Sequence, residues 1–478
     1  MVLFPASFAI LALWLYAVLR LRSGPYLMTL AMLPFGMFAV VQLPALGDLS
    51  ITAAVLFAAL AAGLAAARTL TSPALSRVEV NFATIALALF AVYAVFSALV
   101  LPRLFQGSFL VVPIGRNATG IRIDPNFPSV VAPVGPSNSN LSQSFYILIG
   151  FGFFVAFCGW LRRNGAIAGE RLLAVAATIN IVLATLNLLE LDTILSWFQT
   201  ATYTLHDQQT MGGFRRAIGG FAEPAPFGAA SAAFFAYFAQ AWGYSYRWRD
   251  FLLAAFSAVF VILSYSSTGF AALGIVVGVF ALKAFIGILK KSRRRHSLIK
   301  IIGFSTGLAA TIAVIGATPV LEILIDLLDR LFFSKLDSLS GVERSAWSAA
   351  GMNAFSSTWG LGAGAGSLRS NGMLPVFLGS FGLPGTLAFL LFLWLTIGRP
   401  AYQIADPNLR RVYASAQLAA LAQLTAMFLS MTVPDPTVFL MATCAIASIA
   451  RERAMSASRR TIERELSEDA ALQRGLVH

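Results

Sequence analysis

Four arginines lie in the few polar, glycine-rich segments of this chain and are its best candidates for holding an anion. Arg215 and Arg216 occur in the segment GGFRRAIGGFAEPAPFG, and Glu223 follows them closely. Arg344 opens the segment GVERSAWSAAGMNAF, and Arg369 follows a second glycine-rich stretch. A planar guanidinium pairs with two phosphate oxygens at once. The pattern therefore predicts a phosphate site, with Glu223 available to accept a proton from a hydroxyl group.

Alternating glycines between residues 360 and 367 offer a second way to bind an anion. Gly362 and Gly364 would expose successive backbone N–H groups in a loop of this kind. A helix beginning near Gly341 would also place Arg344 and Trp347 on one face, because positions three residues apart lie one above the other.

A purely structural interpretation of the same residues stays open. Arg215 and Arg216 would then pair with Glu223 and Asp207, and the glycine-rich stretch would be an ordinary tight connection. Asp435, framed by Pro434 and Pro436, is interpreted as a tight turn.

Composition indicates the elements that must position these residues. The chain is 58% hydrophobic and only 12% charged, with a mean hydropathy of +0.77. These values predict an all-α integral membrane protein, since soluble domains carry about 25% charged residues. The net charge of +13 is then mainly a topology signal, and nucleic acid is not an expected partner. Cys158 and Cys444 fall in apolar stretches, so neither disulfide nor metal chemistry is implied.

Thirteen apolar stretches are interpreted as membrane spans, most of them near the ~20 residues that a helix needs to cross a bilayer. They lie at roughly 2–19, 25–46, 50–67, 81–102, 143–161, 172–190, 225–244, 251–265, 268–289, 298–318, 374–398, 412–432 and 436–450. Lysines and arginines collect in every second connection, which predicts an outside N-terminus and a cytoplasmic C-terminus. The pair 251–265 and 268–289 leaves little room for a turn.

This topology divides the chain into a membrane domain at 1–450 and a charged, helical cytoplasmic tail at 451–478. Its long outer loops are 103–142, 191–224 and 319–373. The first is expected to form an irregular or short-stranded cap. The third opens with an amphipathic helix at the outer interface. Two cytoplasmic features indicate lipid contact: Lys283 would snorkel to the membrane surface, and the basic run 290–296 would touch anionic lipid headgroups.

Two motifs resemble the superfamily of O-antigen ligases and Wzy-type polysaccharide polymerases. Residues 216–228 resemble its R-x-x-G-x-F-x-x-P stretch. Arg344 and Trp347, the glycines at 360–366 with Ser367, and the Gly379-x-x-Gly382-x-x-Gly385 spacing resemble its R-x-x-x-W, G-x-G-x-G-S and G-x-x-G pattern, with the tryptophan one residue early. The resemblance covers about 205–395.

That resemblance implies a helical bundle like those of the C-type glycosyltransferases, in a bacterial inner membrane, with its active site facing the periplasm. The implied substrate is a glycan carried on undecaprenyl pyrophosphate, and the implied partners are membrane lipids and the flippase and chain-length regulator of the same pathway. No cofactor or metal is implied, and no Asp-x-Asp motif occurs in the chain. Arg215 or Arg216, together with Arg344, would bind the pyrophosphate, and the base stays open among Glu223, His206 and Glu343.

Polymerisation is favoured over ligation because the segment 368–371 lacks the histidine that ligases of the family carry. A ligase that transfers finished polymer remains the alternative. An alternative of another class is a transporter or flippase of lipid-linked glycans, although such proteins usually place ionisable residues deep in their helices.

Overall fold

The computed structural model describes residues 2–43, 49–71, 80–114, 120–122, 129–201, 210–211, 214–289 and 339–475, and these are mostly helical. The α-helices are α1 (Pro5–Arg20), α2 (Gly24–Ala31), α3 (Ala53–Thr71), α4 (Phe82–Leu104), α5 (Asn138–Asn164), α6 (Ala166–Leu188), α7 (Asp192–Ser196), α8 (Pro224–Ser245), α9 (Trp248–Leu263), α10 (Ser267–Leu289), α11 (Leu339–Ser357), α12 (Met373–Ile397), α13 (Pro407–Ser430) and α14 (Val438–Gly475). The strands are β1 (Val2–Leu3), β2 (Ala39–Leu43), β3 (Leu49–Thr52), β4 (Leu110–Val111), β5 (Ile121–Arg122), β6 (Val130–Pro133), β7 (Thr210–Met211) and β8 (Phe214–Arg215).

Seven of the described helices are long and apolar enough to cross a membrane. They are α3, α4, α5, α6, α10, α12 and α13. The expectation of an all-α membrane protein is therefore confirmed at the level of helix length and composition. Within the bundle, α8 is deeply packed, because its alanines and phenylalanines between Phe227 and Ala241 are nearly all buried.

The expected span at 25–46 is wrong as a single helix. Helix α2 ends at Ala31, and the chain then turns and enters β2, which pairs with β1 and β3 in an antiparallel sheet. Pro34 and Gly36 lie in the turn, where both residue types oppose helix. A Cβ on Gly36 would lie 2.6 Å from the Phe221 ring, so the turn also requires this glycine for close packing.

The expected spans at 251–265 and 268–289 are confirmed as two helices. Only Ser264, Tyr265 and Ser266 separate α9 from α10, and Tyr265 has a φ of +44°. Helix α10 packs against α8 almost backbone to backbone, since a Cβ on Gly269 would lie 3.0 Å from the Cα of Gly228. Glycines at both positions make this close approach possible.

The outer-loop expectations have mixed outcomes. The loop at 103–142 contains β4, β5 and β6 in a three-stranded sheet, which confirms short strands there. The chain is helical from Leu339, where the described residues resume, so a helix is present at the expected position of Arg344. The span at 298–318, the amphipathic segment that opens the third loop and the basic run 290–296 lie outside the described residues. The tail is helical to Gly475, but it continues the last apolar segment without a break in α14.

One end of the bundle, here called the charged end, is held by a buried ionic cluster. Glu170 in the first turns of α6 is 1% exposed and binds Arg411 of α13, Arg247 (3.2 Å) and Arg249 (3.3 Å). Asp250 is fully buried and accepts from Arg249 at 2.8 Å. These contacts join α6, α13 and the α8–α9 connection.

The opposite end, here called the loop end, is joined by hydrogen bonds between connecting segments and the ends of helices. The N–H of Ile218 donates to Asn187 at the end of α6 (3.0 Å), and the N–H of Met37 donates to the carbonyl of Gly220 (2.9 Å). The Tyr146 hydroxyl donates to the carbonyl of Ser50 in β3 at 3.4 Å. All the candidate arginines lie at this end.

Glu170→Gln should destabilise the fold strongly. It removes the charge that compensates Arg411, which is 2% exposed, and loss of one partner of a buried ion pair costs about 3–5 kcal/mol of unfolding free energy. The apparent melting temperature in detergent micelles measures the loss.

Glu190→Gln is the matched control. Glu190 also faces an arginine, Arg215 at 3.4 Å, but its side chain is 72% exposed, so the expected cost is below about 1 kcal/mol. Equal losses in the two variants would mean that burial does not set the strength of the cluster.

Candidate functional site

Arg215 belongs to a surface ion-pair network at the loop end. It ends β8, and its guanidinium contacts Asp192 at 2.6 Å and Glu190 at 3.4 Å. Pairing with acids was expected under the structural interpretation, but with Glu223 and Asp207. Asp207 lies outside the described residues. The structure therefore gives Arg215 a structural role together with α7, and any phosphate must compete with two carboxylates.

Arg216 closes the turn between α9 and α10. Its Nε donates to the carbonyl of Ser264 (3.1 Å) and its Nη2 to the carbonyl of Tyr265 (2.8 Å). The N–H of the next residue, Ala217, donates to the carbonyl of Leu263 at 2.9 Å. These carbonyls lack helical partners because α9 ends there, and a cation is favoured at a helix C-terminus. Sequence analysis missed this capping role.

Glu223 lies close to Arg216. It is the N-cap residue of α8 and is partly buried, with Pro224 in the first turn. Burial lowers the pKa of the Arg216 guanidinium, and the negative charge of Glu223 opposes that shift. The structure thus brings together the expected cation and carboxylate of the first motif.

A second group forms where Arg369 meets α11. The Arg369 guanidinium lies 5.3 Å from the centre of the Trp347 ring, a cation–π distance. The Arg369 backbone N–H donates to the carbonyl of Val112 (2.7 Å), and its Nη2 donates to that of Ile114 (3.4 Å). Trp347 donates from Nε1 to the hydroxyl of Ser129 at 3.1 Å. Arg369 and Trp347 are therefore fixed against the segments that flank β4 and β6.

Arg344 differs from the other three arginines. It lies on α11 one turn before Trp347 and is partly exposed, and its guanidinium has no hydrogen-bond or ion-pair partner among the described residues. Its neighbour Glu343 accepts a hydrogen bond from Ser129. The predicted face of Arg344 and Trp347 is thus present, and it carries the one candidate guanidinium without a partner in the described part of the chain.

The expectation that Gly362 and Gly364 offer their amides to an anion is wrong. The N–H of Gly362 donates to the hydroxyl of Thr358 (2.9 Å), and the N–H of Gly364 donates to the carbonyl of Ser380 (3.0 Å). Both glycines are buried, with φ of +87° and +99°. Buried amides must be bonded, and these already are.

Helix α12 is broken at Gly382, where φ is +60° and ψ is −161°. The break frees backbone carbonyls of α12 to accept hydrogen bonds from the glycine-rich segment. Pro384 has no N–H, so the carbonyl of Ser380 four residues earlier is free to accept from Gly364. Leu383 donates to the carbonyl of Gly360 (2.8 Å), which leaves the carbonyl of Gly379 to accept from Ala363 (2.7 Å). The glycine-rich segment and the broken helix therefore exchange hydrogen bonds.

Asp435 is a carboxylate at the loop end that sequence analysis interpreted only as part of a turn. It does lie in the turn between α13 and α14, which is bonded to the Arg369 segment through Gly372 N–H and the Met431 carbonyl (2.8 Å). Burial raises the pKa of Asp435, and a hydrogen bond from the Thr437 N–H (3.0 Å) partly opposes that rise. The signal in the sequence was an acid between two prolines.

The two arginine groups lie on different elements of the same end. The first involves α7, α8 and the α9–α10 turn, and the second involves α11 and the segments beside β4 and β6. His206, a candidate base, lies outside the described residues. Among the residues that the structure describes, no cluster of three or more His, Cys, Asp or Glu side chains could hold a metal ion.

Gly364→Ala should destabilise the protein by about 2 kcal/mol or more, because a left-handed backbone is costly for residues with a Cβ. The added Cβ would also lie 2.5 Å from the carbonyl O of Ser97. Gly63→Ala in α3 is the control, since its Cβ would meet nothing within 4 Å, and it should stabilise by about 0.5–1 kcal/mol. Thermal unfolding of both variants tests the structural role of the segment.

Asp435→Asn should stabilise the protein at neutral pH. Because the folded-state pKa is raised, the folded protein binds the proton more tightly than the unfolded chain, and stability falls as pH rises from the ordinary Asp pKa to the raised value. Asparagine does not ionise, so the variant does not lose stability over this pH range. The difference in melting temperature should therefore grow with pH and vanish in acid.

Asp406→Asn should lower the stability of the protein, in contrast to Asp435→Asn. Asp406 caps α13 by accepting from the N–H groups of Asn408 (2.7 Å) and Leu409 (2.9 Å), and a carboxylate is favoured at a helix N-terminus. Its loss should lower stability slightly. A less stable Asp435→Asn variant at neutral pH would contradict the assignment of Asp435 as a partly buried carboxylate whose charged form destabilises the fold.

Comparison with known proteins gives no match: no protein-family model, no curated protein and no solved structure is significantly similar to this chain. Conclusions on function therefore depend on the geometry of the loop end.

Proposed function

We propose that this chain is a membrane-embedded glycosyltransferase that polymerises oligosaccharide repeat units carried on undecaprenyl pyrophosphate, at the periplasmic face of a bacterial inner membrane. The observation that carries the proposal is the partly exposed guanidinium of Arg344, which has no described partner and lies one helical turn from the Arg369–Trp347 stack. A pyrophosphate would provide an anionic partner for the Arg344 guanidinium.

The contrast between the two ends of the bundle supports an anionic substrate at the loop end. At the charged end, Arg411, Arg249 and Arg247 all bind buried carboxylates. At the loop end, the partly exposed guanidinium of Arg344 has no acid partner among the residues that the structure describes. Positive charge that is not neutralised within the protein attracts anionic ligands.

In the proposed reaction, Arg344 and Arg369 bind the pyrophosphate of the donor. An acceptor sugar hydroxyl attacks the anomeric carbon while the bond from that carbon to the pyrophosphate oxygen breaks, and the electron pair leaves with undecaprenyl pyrophosphate. The two guanidinium groups stabilise the charge that develops on this leaving group. Arg216 acts indirectly, because it holds the α9–α10 turn and lies close to Glu223.

Glu223 is the proposed proton acceptor. It stands at the start of α8 and is partly accessible, so a hydroxyl could reach it. Glu343, which accepts a hydrogen bond from Ser129, is the alternative base. The proton of the attacking hydroxyl would pass to Glu223 as the new glycosidic bond forms.

The break in α12 is the feature most like a transporter, since transporters bind substrates at discontinuous helices. Here the amide of Leu383 and the carbonyls of Ser380 and Gly379 are all bonded to the glycine-rich segment. The break therefore binds another part of the chain, which favours a structural purpose over a substrate site.

Arg344→Ala should abolish polymerisation and leave the melting temperature nearly unchanged, because the side chain makes no described contact that folding would lose. Arg216→Ala should also reduce activity, but with a loss of about 1.5–3 kcal/mol in stability, because the carbonyls of Ser264 and Tyr265 lose a charged donor. Each variant is expressed in a strain deleted for the gene, and surface polysaccharide is sized on a gel.

Arg20→Gln, an exposed arginine at the end of α1, serves as the control and should give wild-type polymer. Single repeat units in the deleted strain support polymerisation. Full-length polymer held on its lipid carrier would instead indicate the ligase alternative, and an unchanged ladder would indicate a transporter of another substrate. Full activity of Arg344→Ala would refute the assignment of this residue to pyrophosphate.

A further inference from the structure

A groove between α10, α12 and α13 near the charged end has no part in the proposed reaction. It encloses about 330 Å³ and has a mainly apolar wall. The lining residues used below are Val279, Lys283, Leu393, Trp394 and Leu421. The groove is remote in the sequence and in the fold from the loop end, where all candidate arginines lie.

Lys283 is the unusual residue of this groove. It lies on α10 within the apolar segment Ser267–Ile286, is exposed, and donates from Nζ to Oε1 of Gln240 at 2.8 Å. The ring of Phe280 lies 5.8 Å from Nζ. An ammonium carries three donors, and here the described residues supply one acceptor. An ammonium in a lipid-facing segment is costly unless an anion compensates it.

A second cavity, of about 250 Å³, lies beside the groove and is also basic. Arg399, Tyr413 and Arg451 are among its lining residues. The Arg399 guanidinium lies 3.9 Å from the centre of the Trp394 ring, and Trp394 lines the first groove. The stacked pair therefore connects the two cavities. A cation above a tryptophan at the end of an apolar helix is typical of the headgroup level of a bilayer.

We propose that this groove binds one anionic phospholipid from the membrane leaflet at the charged end. Lys283 and Arg399 would bind its phosphate. One acyl chain would lie along the apolar wall formed by Val279, Leu393 and Leu421. The argument for a lipid over a free phosphate is the wall itself, because apolar surface gains free energy only from an apolar partner.

The lipid phosphate would accept hydrogen bonds from the remaining N–H donors of the Lys283 ammonium. Charge-assisted bonds from ammonium and guanidinium to phosphate are stronger than bonds between neutral groups. The lipid would thus join α10 to α12 and α13 at a place where these helices leave open space. The expected consequence is that the folded bundle is more stable with anionic lipid than with neutral lipid.

Native mass spectrometry and thermal unfolding of the purified full chain test the proposal. Phosphatidylglycerol is added to the protein in neutral detergent, and phosphatidylcholine with the same acyl chains is the reference lipid. We expect phosphatidylglycerol to bind as a single retained molecule and to raise the melting temperature more than phosphatidylcholine does. Lys283→Gln should weaken this binding about tenfold, equivalent to about 1.4 kcal/mol.

Lys283→Arg should retain most of the binding, because it keeps the charge. Arg20→Gln removes an exposed charge from α1, outside the groove, and should bind phosphatidylglycerol like the wild type. If Arg20→Gln and Lys283→Gln weaken binding equally, the lipid effect is diffuse surface charge and the proposal fails. It also fails if the two lipids act alike, or if inorganic phosphate displaces phosphatidylglycerol fully.

Discussion

The exchange of hydrogen bonds between α12 and the glycine-rich segment is the constraint on which the loop end depends. Pro384 cannot donate to the Ser380 carbonyl, and the amide of Leu383 bonds Gly360 instead of its helical partner. Two carbonyls of the broken helix are then bonded by Gly364 and Ala363. Buried backbone N–H and C=O groups must be hydrogen-bonded. The break in α12 and the glycine-rich segment therefore each supply the hydrogen-bond partners that the other needs. The segment leads directly to Arg369, whose position against Trp347 follows from it.

The arginines of this protein perform different tasks that their sequence contexts do not distinguish. Arg411 is buried in an ionic cluster, Arg216 caps a helix end and Arg215 pairs with surface acids. Arg344 alone among the candidate arginines has no described partner. A guanidinium whose bonds are already made stabilises the fold, whereas one without partners is available to a ligand. The proposed pyrophosphate site therefore centres on α11, and Arg216 holds the α9–α10 turn at the same end of the bundle.

The structural expectations drawn from the two motifs had mixed outcomes. The spacing of Arg344 and Trp347 predicted a shared helix face, and the face is present because local helical geometry fixes it. The glycines were predicted as anion ligands, and they bond the protein itself. The sequence assigned Asp435 only to a turn and did not reveal the ionic cluster at Glu170, since the surroundings of both groups depend on packing.

Sequence alone determined the helical, apolar character of the chain, the separation of α9 from α10 and the short strands after α4, because composition, turn residues and periodicity act over short distances. It could not determine that the segment 25–46 breaks into α2 and β2, since the turn at Gly36 packs against the distant Phe221 ring. Nor could it assign partners to Arg215 and Arg216. Those partners are 23 to 49 residues away along the chain, and only the packing of helices brings a donor to a distant acceptor. The tertiary structure therefore decided which cations are neutralised and which remain available.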